Sequence, residues 1–576
     1  MRRIVRRQAQ CDGAALPAAL HPVLRRLYVN RGVADATRVD YRLGRLAAAD
    51  RLEGTDLAAR ILERGLRDGA SIVVVGDFDA DGATSTALAL HALRAMGAPR
   101  VHYVVPNRFE YGYGLTPPIV ELAARKGAEI LVTVDNGVSS VEGVAAARAR
   151  GMTVVITDHH LPGEVLPDAH AMVNPNLPDS AFPSRNLAGV GVIFYVLSAL
   201  RARLRSGGWF VERGLDEPNM AAYLDLVALG TVADVVPLDD NNRILVDQGL
   251  RRIRAGHTRP GIQALIEVSG RHRGTLSATD LGFALGPRLN AAGRLEDMSI
   301  GIECLLSREE TDARQRAQRL DVLNRERREI EGDMQARALE VLEGLEFDDG
   351  PGLPFGICLH ESDWHEGVLG IVAARVRERF HRPVVAFAPG QDGQLKGSAR
   401  SVPRVHIRDA LDAVAAGNPG LITRFGGHAM AAGLTLPIGN LDAFRSAFDS
   451  EVRRHLDEGD LEGLLHSDGA LGRGELNIDT AQVLRAGGPW GQGFPPPLFD
   501  DDFVVLSRRL LNGGHLKMMV EGPDGSAVEA IAFRFEHEPP EQGERVHLAY
   551  RLDVNEWGGE VRAQLIVEYL ERVSRV

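Results

Sequence analysis

The sequence lacks the features that would mark it as a membrane or secreted protein. No run of about 18 apolar residues occurs, so no transmembrane helix is predicted. The basic first seven residues lead into no apolar segment, which argues against a secretory signal. There are only three cysteines, Cys11, Cys304 and Cys358, and their wide spacing predicts neither a disulfide framework nor a zinc knuckle. We therefore expect a protein of the reducing cytoplasm with no membrane partner.

An excess of positive charge is also missing. The chain carries 66 basic and 78 acidic residues, for a formal net charge of −12. Such a balance argues against a general nucleic-acid binder. Carboxylates that bind metal would account for part of the acid, however, and basic residues can cluster locally. The net charge therefore weakens a nucleic-acid interpretation but does not decide the question.

The chain is also too long for one hydrophobic core. Single cores stop growing at roughly 250–300 residues, so 576 residues predict two to four domains. Changes in sequence pattern predict an N-terminal segment, an α/β domain, a long connecting helix, a smaller α/β domain and a β-barrel of the OB type. Their predicted ranges are 1–45, 46–306, 307–347, 348–460 and 465–576.

Short β-branched runs alternate with amphipathic stretches between residues 71 and 235. Ser71–Val75, Ile130–Val134 and Thr153–Thr157 are predicted strands, and a helix is predicted from Ala83 to Met96. This alternation predicts βαβ units and a parallel sheet, which places the first domain in the α/β class.

Acidic and imidazole side chains directly follow three of these strands. They are Asp77-Phe78-Asp79-Ala80-Asp81, Asp135-Asn136-Gly137 and Asp158-His159-His160, and Asp234 is a fourth candidate after an apolar stretch. Ligands of open parallel sheets bind at the carboxyl ends of the strands, so these groups are expected to share one crevice.

Clustered carboxylates repel each other unless cations compensate. Two divalent ions would provide this compensation and would also activate a water for attack on a phosphate. For each cluster alone, helix capping by Asp81 or Ser85, or a turn at Asn136-Gly137, is about as good an explanation. These local explanations do not account for three clusters on successive strands. The alternation of Asp77, Asp79 and Asp81 predicts that they point the same way if the segment stays extended.

These motifs resemble those of the DHH phosphoesterase superfamily. Further segments resemble its branch of bacterial single-stranded-DNA exonucleases, and together the motifs cover roughly residues 50–435. The segments are Pro106–Gly114, Gly230–Asp234, Arg288–Arg294, Trp364–Val372 and Gly426–Gly433.

The resemblance implies a set of metal ligands. It assigns two ions, Mn²⁺ or Mg²⁺, to Asp79, Asp81, Asp135, His159 and Asp234, with Asp135 between the ions. Asp77 and His160 are implied as ligands or as close neighbours of ligands, and Asp158 as a carboxylate that orients an imidazole. The implied catalytic residues are Asp79, Asp81, Asp135, His159 and His160.

The second α/β segment resembles the DHHA1 domain. Its stretch Lys396–Ser401 offers a hydroxyl, small residues and two cations, which suits an anchored phosphate. The Gly426-Gly427-His428 segment could bring backbone amides close to a phosphate as well, although a tight turn with incidental charge explains most isolated Gly-Gly pairs. The predicted phosphate contacts are Arg108, Arg294, Ser398, Arg400 and His428. Tyr111 and Tyr113 are predicted to stack on bases, although aromatic residues near a strand more often belong to the core.

Together these features predict a metal-dependent exonuclease that degrades single-stranded DNA to mononucleotides. The 5′-to-3′ polarity, a role in DNA repair and recombination, and partnership with a helicase and a single-strand-binding protein are implied by the resemblance alone. The two alternatives are a DHH-type phosphodiesterase acting on dinucleotides or short RNA, and a non-catalytic replication scaffold.

Overall fold

The computed structural model describes residues 2–106, 114–344 and 354–573, except 363, 365, 391, 428, 462, 536 and 558–559. The chain forms two compact units. One contains residues 6–325 and 467–576, and the other contains residues 1–5 and 326–466. The finer division into five segments that the sequence predicts remains our proposal. No described helix combines the length and the apolar character that crossing a bilayer demands.

The N-terminal segment packs against the C-terminal part of the chain. It forms a strand, β1 (Arg2–Arg6), and a helix, α1 (Pro22–Val29). The Tyr28 hydroxyl donates a hydrogen bond to the carbonyl oxygen of Gly487 (2.7 Å). Arg31, just after α1, forms an ion pair with Asp468 (2.8 Å). Leu24 and Leu27 join the same hydrophobic core as residues of the C-terminal barrel.

A five-stranded parallel sheet follows, with strand order β3-β2-β4-β5-β6. All residues of β2 and β4 are buried, as expected for central strands that helices cover on both faces. The elements are α2 (Thr55–Asp68), β2 (Ser71–Val75), α3 (Ala80–Ala95), β3 (Arg100–Val104), α4 (Pro117–Arg125), β4 (Ile130–Val134), α5 (Val141–Ala149), β5 (Thr153–Thr157) and β6 (Ala171–Val173).

A helical layer completes this α/β region. The helices are α6 (Gly189–Ser206), α7 (Trp209–Arg213), α8 (Leu224–Ala233), α9 (Asp240–Arg254), α10 (Pro260–Val268), α11 (Ala278–Asp280), a π-helix (Leu281–Leu285), α12 (Gly286–Leu295) and α13 (Ser299–Leu306). Helix α14 then spans Glu310–Gly344, within the range 307–347 that its sequence predicts.

The other unit contains a five-stranded mixed sheet, with strand order β10-β11-β9-β8-β7. Strands β7 and β8 pair in parallel, and the remaining pairs are antiparallel. The elements are β7 (Ile357–His360), α15 (Glu366–Phe380), β8 (Val384–Pro389), β9 (Gln394–Arg400), α16 (Ile407–Gly417), β10 (Arg424–Gly427), β11 (Ala431–Pro437), α17 (Leu441–Val452) and β12 (Gly463–Ser467). Strands β1 and β12 pair as a separate two-stranded sheet.

A closed five-stranded barrel ends the chain, with the strand order β13-β14-β15-β17-β16. Buried residues alternate with more exposed ones along β14 and β15, because successive side chains point into and out of the barrel. The predicted OB-like barrel is thus confirmed. The elements are α18 (Ile478–Ala486), β13 (Phe499–Leu511), β14 (His515–Glu521), β15 (Ala527–Ala532), β16 (Arg545–Trp557) and β17 (Glu560–Arg572).

The sequence pattern placed the start of α3 three residues too late. The helix begins at Ala80, because the Asp79 side chain accepts a hydrogen bond from the Gly82 amide (2.9 Å) and caps it. Asp81 is therefore in the first helical turn. The expectation that Asp77, Asp79 and Asp81 alternate along an extended segment was wrong.

Candidate metal centre

The three polar clusters lie at the carboxyl ends of β2, β4 and β5, which are adjacent in the sheet. Asp77 follows β2, Asp135 follows β4, and Asp158 to His160 follow β5. Parallel strands end at one edge, so the sheet itself brings these side chains together.

Asp81 reaches the same place from the first turn of α3, where it is buried. The amides of Gly189 and Val190, at the start of α6, donate hydrogen bonds to its two carboxylate oxygens (2.6 and 2.9 Å). A helix N-terminus attracts negative charge, so α6 holds this carboxylate in position. A Cβ at position 189 would lie 2.6 Å from the Cβ of Asp135, so only glycine allows this close approach.

Asp135 and the residue after Asp234 have unusual backbone conformations. Asp135 has a φ of 62°, a left-handed conformation that aspartate tolerates better than most residues. Asp234 caps the C-terminus of α8, and the next residue, Val235, has a φ of 61°. A β-branched residue is rare in this region, and such strain is concentrated at functional sites.

The side chains converge within ligand distance of one another. His159 Nε2 lies 3.1 Å from Asp135 Oδ1 and 3.5 Å from Asp234 Oδ2. In each of three groups, one potential ligand atom per residue lies within 4.8 Å of the others. The groups are Asp135/His159/His160, Asp81/His159/Asp234 and Asp77/Asp79/Asp135.

Burial and mutual repulsion disfavour the charged forms of these carboxyls. Burial, followed by the charge of Asp79, raises the pKa of Asp77 to about 8 and that of Asp81 to about 7. Burial, followed by the charges of Asp81 and Asp79, raises the pKa of Asp234 to about 9. The same causes raise the pKa of Asp135 well above its ordinary value. At neutral pH these carboxyls can therefore all be ionised only when cations bind beside them.

The two histidines of the cluster have opposite protonation preferences. Burial, together with the neighbouring His160, lowers the pKa of His159 to about 4, so its ring is neutral at pH 7. Burial also opposes protonation of His160, but the hydrogen bond to Asp158 and the charge of that carboxylate outweigh it and raise the pKa. Nδ1 of His160 lies 2.8 Å from Asp158 Oδ1. His159 can thus offer a lone pair to a metal ion, whereas Asp158 favours the protonated form of His160.

These residues fit a pair of divalent cations. Several buried carboxylates and one neutral imidazole converge, and Nε2 of His159 and Oδ2 of Asp234 are buried without a hydrogen bond in the described structure. Oxygen ligands suit Mg²⁺, and a mixed set of oxygens with an imidazole nitrogen also suits Mn²⁺.

A second layer of residues shapes this centre, and no sequence pattern indicated its position. Asn290, on α12, accepts a hydrogen bond from the Ala80 amide (2.7 Å) through Oδ1. A Cβ on Gly293 would lie 1.9 Å from the carbonyl oxygen of Phe78, so this glycine lets α12 approach the loop of Asp77 and Asp79. Both residues belong to a motif that the sequence singled out, but only the fold brings it to β2. The predicted phosphate contact Arg294 is exposed in the last turn of α12.

Two of the other predicted phosphate contacts lie together in the unit of residues 326–466. Ser398 and Arg400 are on β9, two residues apart and hence on one face. Nη1 of Arg400 donates a hydrogen bond to Ser398 Oγ (3.1 Å). A Cβ on Gly370 would lie 2.7 Å from Arg400 Nη2, so this glycine of α15 leaves room for the guanidinium. The remaining predicted residues, Arg108, Tyr111, Tyr113 and His428, lie outside the described residues.

Three family models match successive parts of the chain. The DHH family N-terminal domain matches residues 71–231, the DHHA1 domain residues 354–454, and the RecJ OB domain residues 467–569. The predicted superfamily and fold class are thereby confirmed.

Named relatives match almost the whole chain. The single-stranded-DNA-specific exonuclease RecJ of Dickeya dadantii is 56% identical, over 96% of this chain and 97% of its own length. Two crystal structures of RecJ from Thermus thermophilus also align with all of this chain. The complex with Mn²⁺ has a TM-score of 0.78, 30% identity and 80% of its own chain covered. For the complex with Mg²⁺ the values are 0.72, 29% and 78%.

High identity over nearly the full length, together with the matching domain models, shows the family. The chain belongs to the RecJ family of single-stranded-DNA-specific exonucleases.

Proposed function

We propose that this protein is a metal-dependent exonuclease that hydrolyses the phosphodiester bonds of single-stranded DNA. The observation that carries the proposal is the buried acidic cluster, which needs divalent cations, in a chain of this family. Mn²⁺ or Mg²⁺ are the proposed ions, in agreement with the ions in the Thermus thermophilus structures.

The proposed metal ligands are Asp77, Asp79, Asp81, Asp135, His159 and Asp234, with Asp135 between two ions. The fixed carboxylate of Asp81, the neutral ring of His159 and the central position of Asp135 support these roles. Bound ions would polarise the phosphate and lower the pKa of a water that attacks it. His160 is proposed as a catalytic residue. Its hydrogen bond to Asp158 keeps a proton at the edge of the cluster, where negative charge develops on the phosphate.

The proposed contacts to substrate phosphates are Arg294, Ser398 and Arg400, together with Arg108 and His428. The Arg400 guanidinium is already hydrogen-bonded to Ser398, and an ordered guanidinium loses less freedom when it binds phosphate. Tyr111 and Tyr113 are proposed to stack on bases.

The 5′-to-3′ polarity, mononucleotide products and a role in repair and recombination are also proposed, on the basis of family membership. A helicase would generate the single strand and a single-strand-binding protein would cover it, so both are proposed partners. We propose the cytoplasm as the site of action, because Cys11, Cys304 and Cys358 are free thiols, as expected in a reducing compartment.

The two alternatives make different demands on the chain. A phosphodiesterase for dinucleotides has no need of a separate OB barrel, which this chain contains. Several buried carboxylates with raised pKa values destabilise the fold when no metal is bound. A non-catalytic scaffold has no reason to keep them.

The test is degradation of a long single-stranded DNA labelled at either end, with Mn²⁺ or Mg²⁺. The Asp135→Ala protein and a fully duplex substrate serve as controls. We expect early release of mononucleotide from the 5′ label, no release from the duplex, and no activity of Asp135→Ala. Early loss of the 3′ label would overturn only the polarity. Cleavage of dinucleotides but not of long strands would favour the first alternative, and no cleavage with either ion would favour a scaffold.

A further inference from the structure

A cavity of about 400 Å³ lies beside the C-terminal ends of α9 and α10, and we call it the α9–α10 pocket. Its lining includes three arginines, Arg254, Arg271 and Arg273, together with His272 and one carboxylate, Glu267. This concentration of positive charge stands out in a chain whose net charge is −12.

Two of the three arginines have no ion-pair partner in the described part of the chain. Arg254 is half-buried, and its Nε donates a hydrogen bond to the Leu276 carbonyl (2.7 Å). Asp247 and Asp280 act on it only through longer-range charge. Nη1 of Arg273 donates a long hydrogen bond to Oε1 of the neutral Gln263 side chain (3.4 Å). Each guanidinium therefore retains hydrogen-bond donors for a ligand.

The charged neighbours of these arginines are already engaged. Arg271 pairs with Asp280 (3.3 Å). Glu267 pairs with Arg314 (3.3 Å) and also accepts a hydrogen bond from Gln263 (2.9 Å). The carboxylate of the pocket is thus directed to other partners, and it forms no ion pair with Arg254 or Arg273 among the described residues.

Helix electrostatics explain only part of this arrangement. Basic residues stabilise the C-terminal turn of a helix, which accounts for Arg254 at the end of α9. Arg273 lies in neither α9 nor α10 but in the short turn of residues 273–275. A helix dipole therefore gives no reason for its position in the pocket.

The pocket is separate from the metal centre. Helix α9 begins six residues after Asp234 and ends at Arg254. At 1.5 Å per residue its length is about 21 Å. Arg254 is the last residue of α9, so the length of this helix separates it from the end of α9 that lies near Asp234 in the sequence.

We propose that the α9–α10 pocket binds a phosphate group through Arg254 and Arg273, as a second site that does not require the metal ions. The cavity is large enough for a nucleotide. His272 lines the pocket and is exposed, so its ring offers a surface for a base. The phosphate comes either from a free nucleotide, such as the product of the reaction, or from a DNA strand.

The experiment is calorimetric titration of the full chain in EDTA, which removes binding that depends on metal ions. The probes are 5′-dTMP and a 20-nucleotide oligo-dT. The variants are Arg273→Ala, whose side chain is exposed, and Arg254→Gln. The matched control is Arg251→Ala, an arginine of α9 that pairs with Asp247 and does not line the pocket. Thermal unfolding of each variant monitors its folding.

We expect both pocket variants to weaken the binding of dTMP roughly tenfold, the effect of one lost charge-assisted hydrogen bond, and the control to have no effect. If the phosphate belongs to a strand, oligo-dT binding also weakens, and the slope of log K against log salt becomes shallower by about 0.7 per lost contact. If it belongs to a free nucleotide, oligo-dT binding is unchanged.

Equal affinities of the wild type and the folded Arg273→Ala protein for both probes would overturn the proposal. Binding of a polyglutamate peptide in the pocket without any response to dTMP or oligo-dT would overturn it in favour of a protein partner. Because these titrations contain no metal ions, their outcome is independent of the exonuclease assay.

Discussion

Two groups of aspartates in this molecule are equally buried but have opposite surroundings. Asp468 and Asp500, near the barrel, are 3% and 2% exposed, and Asp81 and Asp135 of the metal centre are each 1% exposed. Arg31 donates hydrogen bonds to both oxygens of Asp468, at 2.8 and 2.9 Å. Burial alone would raise the pKa of Asp500, but hydrogen bonds from Arg6 and Ser467 reverse the effect and lower it.

These surroundings distinguish a structural carboxylate from a metal ligand. A structural carboxylate has its counter-cation in the protein, as Asp468 has in Arg31. At the metal centre, burial and the charges of neighbouring carboxylates raise the pKa of Asp135. A buried carboxylate whose pKa is raised by other carboxylates therefore indicates an ion that the protein must acquire.

The largest expected effect comes from removing the charge of Asp468, one of the two structural aspartates. Asp468→Asn should leave the side chain of Arg31, which is only 4% exposed, as a buried cation with a weakened partner. We expect a loss of about 3–5 kcal/mol in the free energy of unfolding, because breaking a buried ion pair leaves an uncompensated charge. Urea denaturation measures it. The exposed pair of Arg60 and Asp56 is the control, and Arg60→Ala should change stability by less than about 0.5 kcal/mol.

The pH dependence should be opposite at the two groups. In EDTA, the raised pKa values of Asp81, Asp77 and Asp234, about 7, 8 and 9, mean that the unfolded chain releases their protons first. The contribution of these three carboxyls to stability is then fully present below about pH 4 and falls as the pH rises towards 9. The slope should be at most about 1.4 kcal/mol per pH unit for each carboxyl.

Urea denaturation in EDTA between pH 5 and 9 measures this slope, and Asp234→Asn should reduce it. An unchanged slope in that variant would contradict the raised pKa of Asp234. Asp500 contributes in the other direction, because a lowered pKa stabilises the fold at neutral pH and this contribution is lost only in acid.

Bound metal ions should stabilise the folded protein through the aspartates of the metal centre and not through the structural aspartates. Mn²⁺ at a hundredfold excess over its dissociation constant should stabilise the wild type by about 2.7 kcal/mol, because it binds only the folded state. Thermal unfolding with and without Mn²⁺ measures the effect. Asp135→Asn should lose most of this shift, whereas Asp500→Asn should keep it. Equal shifts in both variants would remove Asp135 from the proposed ligands.

The smallest expected effect concerns the backbone beside the metal centre. Val235→Gly should relieve the left-handed strain of about 1–2 kcal/mol, and the flexibility of glycine in the unfolded chain should offset part of it. We expect a net gain of roughly 0.5–1 kcal/mol, and reduced exonuclease activity because Asp234 becomes less well fixed. The control Val211→Gly, an exposed helical position, should lower stability by a few tenths of a kcal/mol. Losses in both variants would show that Val235 is unstrained.

Much of the first domain was predictable because its signals are local. Ser71–Val75, Ile130–Val134 and Thr153–Thr157 are continuous apolar runs, and the structure has strands with those bounds. The clustering of Asp77, Asp135 and His159 followed from the parallel sheet, because its geometry brings the ends of adjacent strands together.

The remaining features depend on contacts between distant parts of the chain. The support of Asp81 by Gly189 spans 108 residues, and that of Ala80 by Asn290 spans 210. The pairing of Arg31 with Asp468 spans 437 residues. No local pattern encodes such partners, so the first 45 residues contained no usable motif although they pack against the last domain.

The pairing of β1 with β12 has a consequence for the synthesis of the protein. The partner of β1 leaves the ribosome about 460 residues after it. At roughly 5–20 residues per second, β1 waits between about 20 and 90 s for this partner. A lone strand can pair with other chains during this time. Three of its five residues are arginines, and charge of this kind protects a free edge until the intended neighbour has been translated.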